Sequence, residues 1–136
     1  MLYLARCLLC GDEFSYLMRR FIVFDSETVI LVTRNGMGEA DPKLQKKLIQ
    51  TYLKLLDDSD ALPAVICFYT EGVRLVVEGS PVLDVLKSLE DKKVRLIICG
   101  TCLNFFGLTE KVKVGIVGGM TDIIEAQRRA AKVISI

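Results

Sequence analysis

The chain has 136 residues, of which 51% are hydrophobic and 26% are charged, a balance typical of one compact domain with a hydrophobic core. Its formal net charge of +1 provides neither a basic field nor an acidic tail, so we predict no nucleic-acid partner. The longest uncharged run, residues 96–109, is too short to span a bilayer, and we expect no membrane association.

Five cysteines and a complete lack of histidine limit the chemistry open to this chain. The N-terminal residues have no basic region before their apolar run, so we expect no secretory signal and a reducing, cytoplasmic environment with free thiols. Without histidine, Cys–His dyads, Ser–His triads and histidine-containing zinc sites are excluded. Cys7 and Cys10 have the spacing of half a zinc ribbon, which is insufficient alone, so we predict no metal and no cofactor.

From residue 28 onwards, apolar β-branched runs alternate with amphipathic helical patterns. Predicted strands cover residues 28–33, 63–69, 94–98, 112–117 and 132–136. Predicted helices begin after Asp41-Pro42, begin again at Ser80-Pro81, and cover 123–131 behind a capping box of Asp122 and Glu125. The alternation predicts an α/β fold with a parallel sheet covered on both faces. We therefore divide the chain into an N-terminal extension, residues 1–27, and one domain, residues 28–136.

The third predicted strand runs into the segment CGTC, which places Cys99 and Cys102 where a strand ends and a helix begins. Ligands of α/β proteins bind outside the carboxyl ends of the strands, and helix N-terminal amides there favour an anion such as a thiolate. A CxxC in this position lowers a thiol pKa and yields a nucleophile that carries a persulfide or attacks a disulfide. In the plainer interpretation both thiols only fill the top of the sheet, as we expect Cys67 to fill its strand.

The residues that follow the other strands are further candidates for a binding site, because the carboxyl ends of parallel strands meet at one edge. With the centre of the CGTC motif they are Arg34, Asn35, Gly36, Glu71, Gly100, Thr101, Gly118 and Gly119. We expect Arg34 and Glu71 to orient a bound sulfur species, and the amides of the glycine pair to cradle an anion. The plainer interpretation is that the charges are solvated and the glycines allow tight turns or close packing.

Several short motifs from residue 28 to the C-terminus together resemble the DsrE/DsrF-like family, and within it the C-terminal domain of YedF-type proteins. The motifs are Gly36-Met37-Gly38, Leu62-Pro63 with Phe68-Tyr69, Gly72-Val73, Val77-Glu78-Gly79-Ser80, Leu86 with Leu89-Glu90, Cys99-Gly100-Thr101-Cys102-Leu103 and Val114-Gly115. The CGTCL element is the most specific of them.

The resemblance implies a three-layer α/β/α fold with a five-stranded, mainly parallel sheet, and frequent homo-oligomers. It also implies cytoplasmic sulfur transfer, in which a cysteine receives sulfur as a persulfide and passes it to other sulfur-carrier proteins. The family's sulfur-accepting cysteine precedes a glycine by eight positions, which matches Cys99 and Gly107 in this chain. Cys102 corresponds to the additional thiol of the YedF-type proteins.

We therefore predict a sulfur-relay, sulfurtransferase-like protein with Cys99 as the persulfide carrier and Cys102 as a resolving or second carrier thiol. The first alternative is a thiol–disulfide oxidoreductase that uses the same CGTC motif. Against it, no proline follows Pro81, and thioredoxin-like proteins need one beyond their CxxC. The second alternative is a non-catalytic subunit of a sulfur-transfer assembly, with unreactive thiols.

Overall fold

Five parallel strands form the centre of the computed structural model, which describes residues 27–136. They are β1 (Thr28–Val32), β2 (Val65–Phe68), β3 (Arg95–Cys99), β4 (Ile116–Gly118) and β5 (Lys132–Ser135). Their order across the sheet is β4-β3-β2-β1-β5, and every pairing is parallel. The predicted α/β class and the five-stranded sheet are confirmed. The expectations for residues 1–26, including the Cys7 and Cys10 pair, lie outside the described residues.

In the described part of the chain, four α-helices connect these strands: α1 (Pro42–Asp58), α2 (Leu83–Asp91), α3 (Gly100–Phe105) and α4 (Met120–Arg129). The same range holds two 3-10 helices, Thr70–Leu75 and Thr109–Lys111. The predicted start of α1 is confirmed, because the Asp41 carboxylate accepts the Lys43 N–H at 2.8 Å and Pro42 is the first helical residue. Within residues 27–136, no helix has the length and apolar character needed to cross a membrane.

The predicted start of the second helix is wrong by about half a turn. Ser80 Oγ accepts the Val82 N–H at 3.3 Å and so closes a local turn before the helix. The helix α2 therefore begins at Leu83 rather than directly at Ser80-Pro81.

The fourth strand and the helix after it also differ from prediction. The strand is Ile116–Gly118, and Val112 instead forms an antiparallel bridge with Val77. Helix α4 begins at Met120 because the Asp122 carboxylate accepts the Gly119 N–H at 2.8 Å and caps it there. The predicted capping partner Glu125 pairs with arginines of the same helix.

Each face of the sheet has its own hydrophobic core, because strand side chains alternate between the two faces. One core packs alternate strand residues such as Ile98 against α1, α2 and α3. The other packs Cys67 and Cys99 against Ile123 and Ala126 of α4. The predicted three-layer α/β/α arrangement is thus confirmed, and of the four α-helices in residues 27–136, three lie on one face and one on the other.

The neighbouring strands β3 and β4 are followed by helices on opposite faces of the sheet, α3 on one and α4 on the other. Open α/β sheets bind ligands in the crevice that such a topological switch point creates at the carboxyl ends of the strands. Cys99 ends β3 and lies in register with Gly118, the last residue of β4. The fold therefore places the CGTC motif at the switch point.

Candidate functional site

The two thiols of the CGTC motif lie side by side at the switch point, one buried and one partly accessible. Cys99 is the last residue of β3 and the N-cap of α3, and 1% of its surface is exposed. Cys102 lies in the first turn of α3, is half-buried, and packs against both hydrophobic cores. Its side chain packs against the core cluster that contains Cys99, and the two thiols interact. Both thiols are free, which thiol exchange chemistry requires.

The pKa of the Cys102 thiol is raised, in contrast to the lowering that we expected for a cysteine at a helix N-terminus. Burial is the main cause because it disfavours the charged thiolate, and the neighbouring Cys99 thiol adds to it. The Thr70 N–H, which donates to Cys102 Sγ at 3.1 Å, acts in the opposite direction. The helix contributes little because α3 has six residues and a correspondingly small dipole.

Thr70, which provides this hydrogen bond, has an uncommon backbone conformation. Its φ of 49° lies in the left-handed region, which β-branched residues rarely adopt. The Thr70 hydroxyl donates to the Thr33 carbonyl at the end of β1 and so ties the turn after β2 to the neighbouring strand. Glu71 at this turn stands out in the sequence by its charge, whereas Thr70 does not, because a backbone N–H leaves no signal in residue type.

Gly100, directly after β3, and Gly118, the last residue of β4, lie in close contact. A β-carbon added at Gly100 would lie 3.3 Å from Val117 Cγ1 and 3.4 Å from the Gly118 carbonyl oxygen, so a side chain would be crowded there. The Gly119 N–H, predicted to cradle an anion, is bonded to the Asp122 carboxylate instead. Thr101, the other central residue of the motif, is exposed. The structure thus places Gly100 and Gly118 next to Cys99 at the strand ends.

The predicted charged residues of this edge are compensated by neighbours in their own loops. Arg34 pairs with Glu39 at 3.8 Å, and Glu71 pairs with Arg74. The Arg74 guanidinium also lies 4.4 Å from the ring centroid of Phe106, just beyond α3. Each pair is exposed and adds little to stability. Both charges are therefore held by partners other than the thiols.

The remaining predicted residues of the first loop have separate surroundings. Asn35 lines a pocket of about 250 Å³ together with Lys46, Arg74 and Lys111. Gly36 is buried, and a β-carbon there would lie 2.5 Å from Gln45 Cβ, so this glycine allows the loop to pack on α1. Its role is close packing, which is the plainer of the two interpretations for a loop glycine.

Cys67 is the third cysteine in the described range and lies in the core below the site. It is fully buried in β2, and burial raises the pKa of its thiol to about 11. Among residues 27–136, no group of three or more cysteine or carboxylate side chains is placed to hold a metal ion. Cys67 thus fills the core in the structure, as predicted.

Comparisons with known proteins point to one family and one fold. The sequence model of the DsrE/DsrF-like family matches residues 61–136. No curated protein matches the chain.

Three solved structures have similar folds. The YchN protein from E. coli is 14% identical with a TM-score of 0.60, covering 80% of this chain and 98% of its own. MTH1491 from Methanobacterium thermoautotrophicum, a protein of unknown function, is 18% identical with a TM-score of 0.59, covering 80% and 97%. BT1422 from Bacteroides thetaiotaomicron, also of unknown function, is 13% identical with a TM-score of 0.55, covering 83% and 97%. At these identities the matches describe the fold alone.

Proposed function

The chain belongs to the DsrE/DsrF-like family, and on this premise we propose that it relays sulfur, carried as a persulfide on the CGTC cysteines. The observation that carries the proposal is the contact between two free thiols, Cys99 and Cys102, at the switch point of the sheet. Proteins of this family are generally related to sulfur relay. The pair combines one thiol that a donor can reach with one that is shielded from solvent.

Because Cys102 is more accessible than Cys99, the two cysteines have different roles in the proposed relay: Cys102 receives the sulfur and Cys99 holds it. In the first step, the Cys102 thiolate attacks the terminal sulfur of a donor persulfide, and the donor thiolate leaves. In the second step, the Cys99 thiolate attacks the terminal sulfur of the Cys102 persulfide, and Cys102 leaves as a thiolate that takes up the proton lost by Cys99. Each step exchanges one S–S bond for another, so no external oxidant or reductant is needed. Cys99, at 1% exposure, then holds the sulfur away from water.

We further propose that other sulfur-carrier proteins dock at this edge of the sheet. We also propose that the chain forms homo-oligomers. Apolar side chains surround the motif in a way that supports docking: Phe105 on α3, Val117 on β4 and Met120 on α4 are all exposed. Exposed apolar patches of this kind often mark interaction surfaces. A docked carrier would bring its own persulfide next to Cys102.

The same thiol contact supports a second candidate function, thiol–disulfide exchange through a Cys99–Cys102 disulfide. An insulin-reduction assay distinguishes the two functions because a relay moves sulfur without reducing insulin. The third candidate, a subunit with inert thiols, predicts that both cysteines react with alkylating reagents only slowly at neutral pH.

The test of the relay is persulfide loading in matched variants. After incubation with a small-molecule persulfide donor, the native protein is expected to gain about 32 Da, the mass of one sulfur atom. Cys102→Ser is expected to load slowly, because the donor must then reach the buried Cys99. Cys99→Ser is expected to load at the native rate but to lose its sulfur quickly to added thiols. Equal loading of the native protein and the Cys99→Ser, Cys102→Ser double variant would exclude the CGTC site.

A further inference from the structure

We infer that Thr70 is a functional part of this site: its backbone N–H stabilises the sulfur anion that forms on Cys102, and its hydroxyl holds that N–H in place. The role of Thr70 in sulfur transfer rests on the proposed sulfur relay, whereas its effect on Cys102 ionisation does not. The contact itself, N–H to Sγ at 3.1 Å, joins the turn after β2 to α3 across 32 residues of sequence.

The geometry shows why Thr70 points its amide at the sulfur. The left-handed backbone of Thr70 is unfavourable for a β-branched residue and persists only when the surroundings enforce it. The Thr70 hydroxyl is placed to donate to the Thr33 carbonyl or to the Tyr69 carbonyl, the latter at 2.7 Å, and the Tyr69 N–H donates to the Val32 carbonyl at 3.2 Å. Together these contacts enforce the conformation. Strained residues of this kind concentrate at functional sites.

The hydrogen bond acts on the atom that changes charge during transfer. When Cys99 attacks the terminal sulfur of a Cys102 persulfide, the S–S bond to Cys102 breaks and its electron pair goes to Cys102 Sγ. The Thr70 N–H is already directed at this atom, as the donors of an oxyanion hole are directed at a developing charge. In the loading step the same N–H stabilises the attacking thiolate and so increases the fraction of Cys102 that is ionised.

Within residues 27–136, this amide is the group that stabilises the charged form of Cys102. On the 3-10 helix, Glu71 and Arg74 are paired with each other, and α3 contains no charged residue. On α4, Asp122 is bonded to the Gly119 N–H. In the part of the chain that the structure describes, the titratable group that acts on Cys102 is Cys99, which opposes ionisation, whereas the Thr70 N–H favours it. Removal of the N–H should therefore be visible directly in the titration of Cys102.

The test is the pH profile of Cys102 alkylation by iodoacetamide, measured at the peptide level in the full-length chain carrying Cys99→Ser. An amide-to-ester substitution at residue 70 removes the N–H and keeps the Thr70 side chain, although it also weakens the Tyr69 carbonyl, which accepts the Gly72 N–H at 3.0 Å. We expect it to slow alkylation near neutral pH about tenfold and to move the profile to higher pH, as the loss of one hydrogen bond to a charged group predicts. Thr70→Val, which removes the hydroxyl at constant shape, is expected to shift the profile in the same direction. Thr70→Ser, which keeps the hydroxyl, is expected to retain the native profile.

An unchanged profile in the ester variant would overturn the inference, and so would a Thr70→Ser shift as large as that of Thr70→Val. If Thr70→Val does not fold, the alkylation profile of the ester variant alone tests the inference. Because the assay contains no sulfur donor, it separates the two proposals. A shifted profile in a chain that never loads sulfur would support the role of Thr70 in Cys102 ionisation and contradict the relay.

Discussion

Replacement of Gly72 by alanine tests whether direct contact with β1 fixes the turn that carries Thr70. A β-carbon at Gly72 would lie 2.1 Å from the Val32 carbonyl oxygen and 2.8 Å from its carbonyl carbon. Both are backbone atoms of a central strand that is paired on both sides, so β1 cannot yield easily. The turn must move instead, and it takes the Thr70 hydroxyl away from the Thr33 carbonyl.

The expected destabilisation combines two contributions. Overpacking of a rigid site costs up to about 3 kcal/mol. Loss of the hydrogen bond from Thr70 to Thr33 adds about 1 kcal/mol. We therefore expect Gly72→Ala to lower the free energy of unfolding by about 3–4 kcal/mol.

Gly79→Ala is the matched control, because Gly79 has a φ of 87° and nothing lies within 4 Å of an added β-carbon. Gly79→Ala should lower the free energy of unfolding by about 1–2 kcal/mol, because alanine is unfavourable in the left-handed backbone conformation and meets no other obstacle there. Urea unfolding of both variants gives the two free energies, and alkylation of Cys102 shows whether only Gly72→Ala disturbs the site. A loss for Gly72→Ala no larger than that for Gly79→Ala would refute the reasoning.

Two further predictions concern pH. Burial raises the pKa of the Asp57 carboxyl, but hydrogen bonds from Lys92 and Ser88, both at 2.9 Å, outweigh it and leave the pKa lowered. Asp57→Asn should therefore lower the free energy of unfolding at pH 7 by about 1 kcal/mol, the typical net value of a hydrogen bond. Because the folded-state pKa is lowered, this deficit should shrink as the pH falls below about 4, and equal deficits at pH 7 and pH 3 would contradict the prediction. The raised pKa of Cys67, about 11, means that its thiol stays neutral in the fold but ionises in the unfolded chain above about pH 9. Ionisation of Cys67 should thus lower the free energy of unfolding by about 2 kcal/mol as the pH rises to 11. Cys67→Ala should flatten this fall, and parallel pH curves for the variant and the native protein would contradict the prediction.

The sequence is informative where an element is determined by its own residues. β1 is buried along its whole length, as its β-branched run predicts, and Asp41-Pro42 marks the start of α1 because a cap is a local interaction. β4 is different. Its residues Ile116 and Val117 are exposed at the sheet edge, while Val114 before it is buried and Val112 pairs with Val77. The hydrophobic pattern therefore predicts a strand that begins too early in the chain, because pairing with β3 decides which residues of this segment become the strand.

The candidate site shows a similar division. The CGTC motif is recognisable from its residue types and from its position after a buried strand. The Thr70 amide is not, because every residue except proline has an N–H and only the fold determines which one meets Cys102. Arg34 and Glu71 stand out in the sequence by their charge, yet each pairs within its own loop. Loop conformation determines those partners, and residue type does not reveal it.

The position of the bound sulfur tests the central claim most directly. The native protein is incubated with a persulfide donor, the remaining thiols are alkylated, and fragmentation mass spectrometry locates the added mass of about 32 Da. We predict that the sulfur is found on Cys99, with Cys102 as its transient carrier at short times. Sulfur on Cys67 or on the N-terminal cysteines, or no added mass at all, would contradict the account.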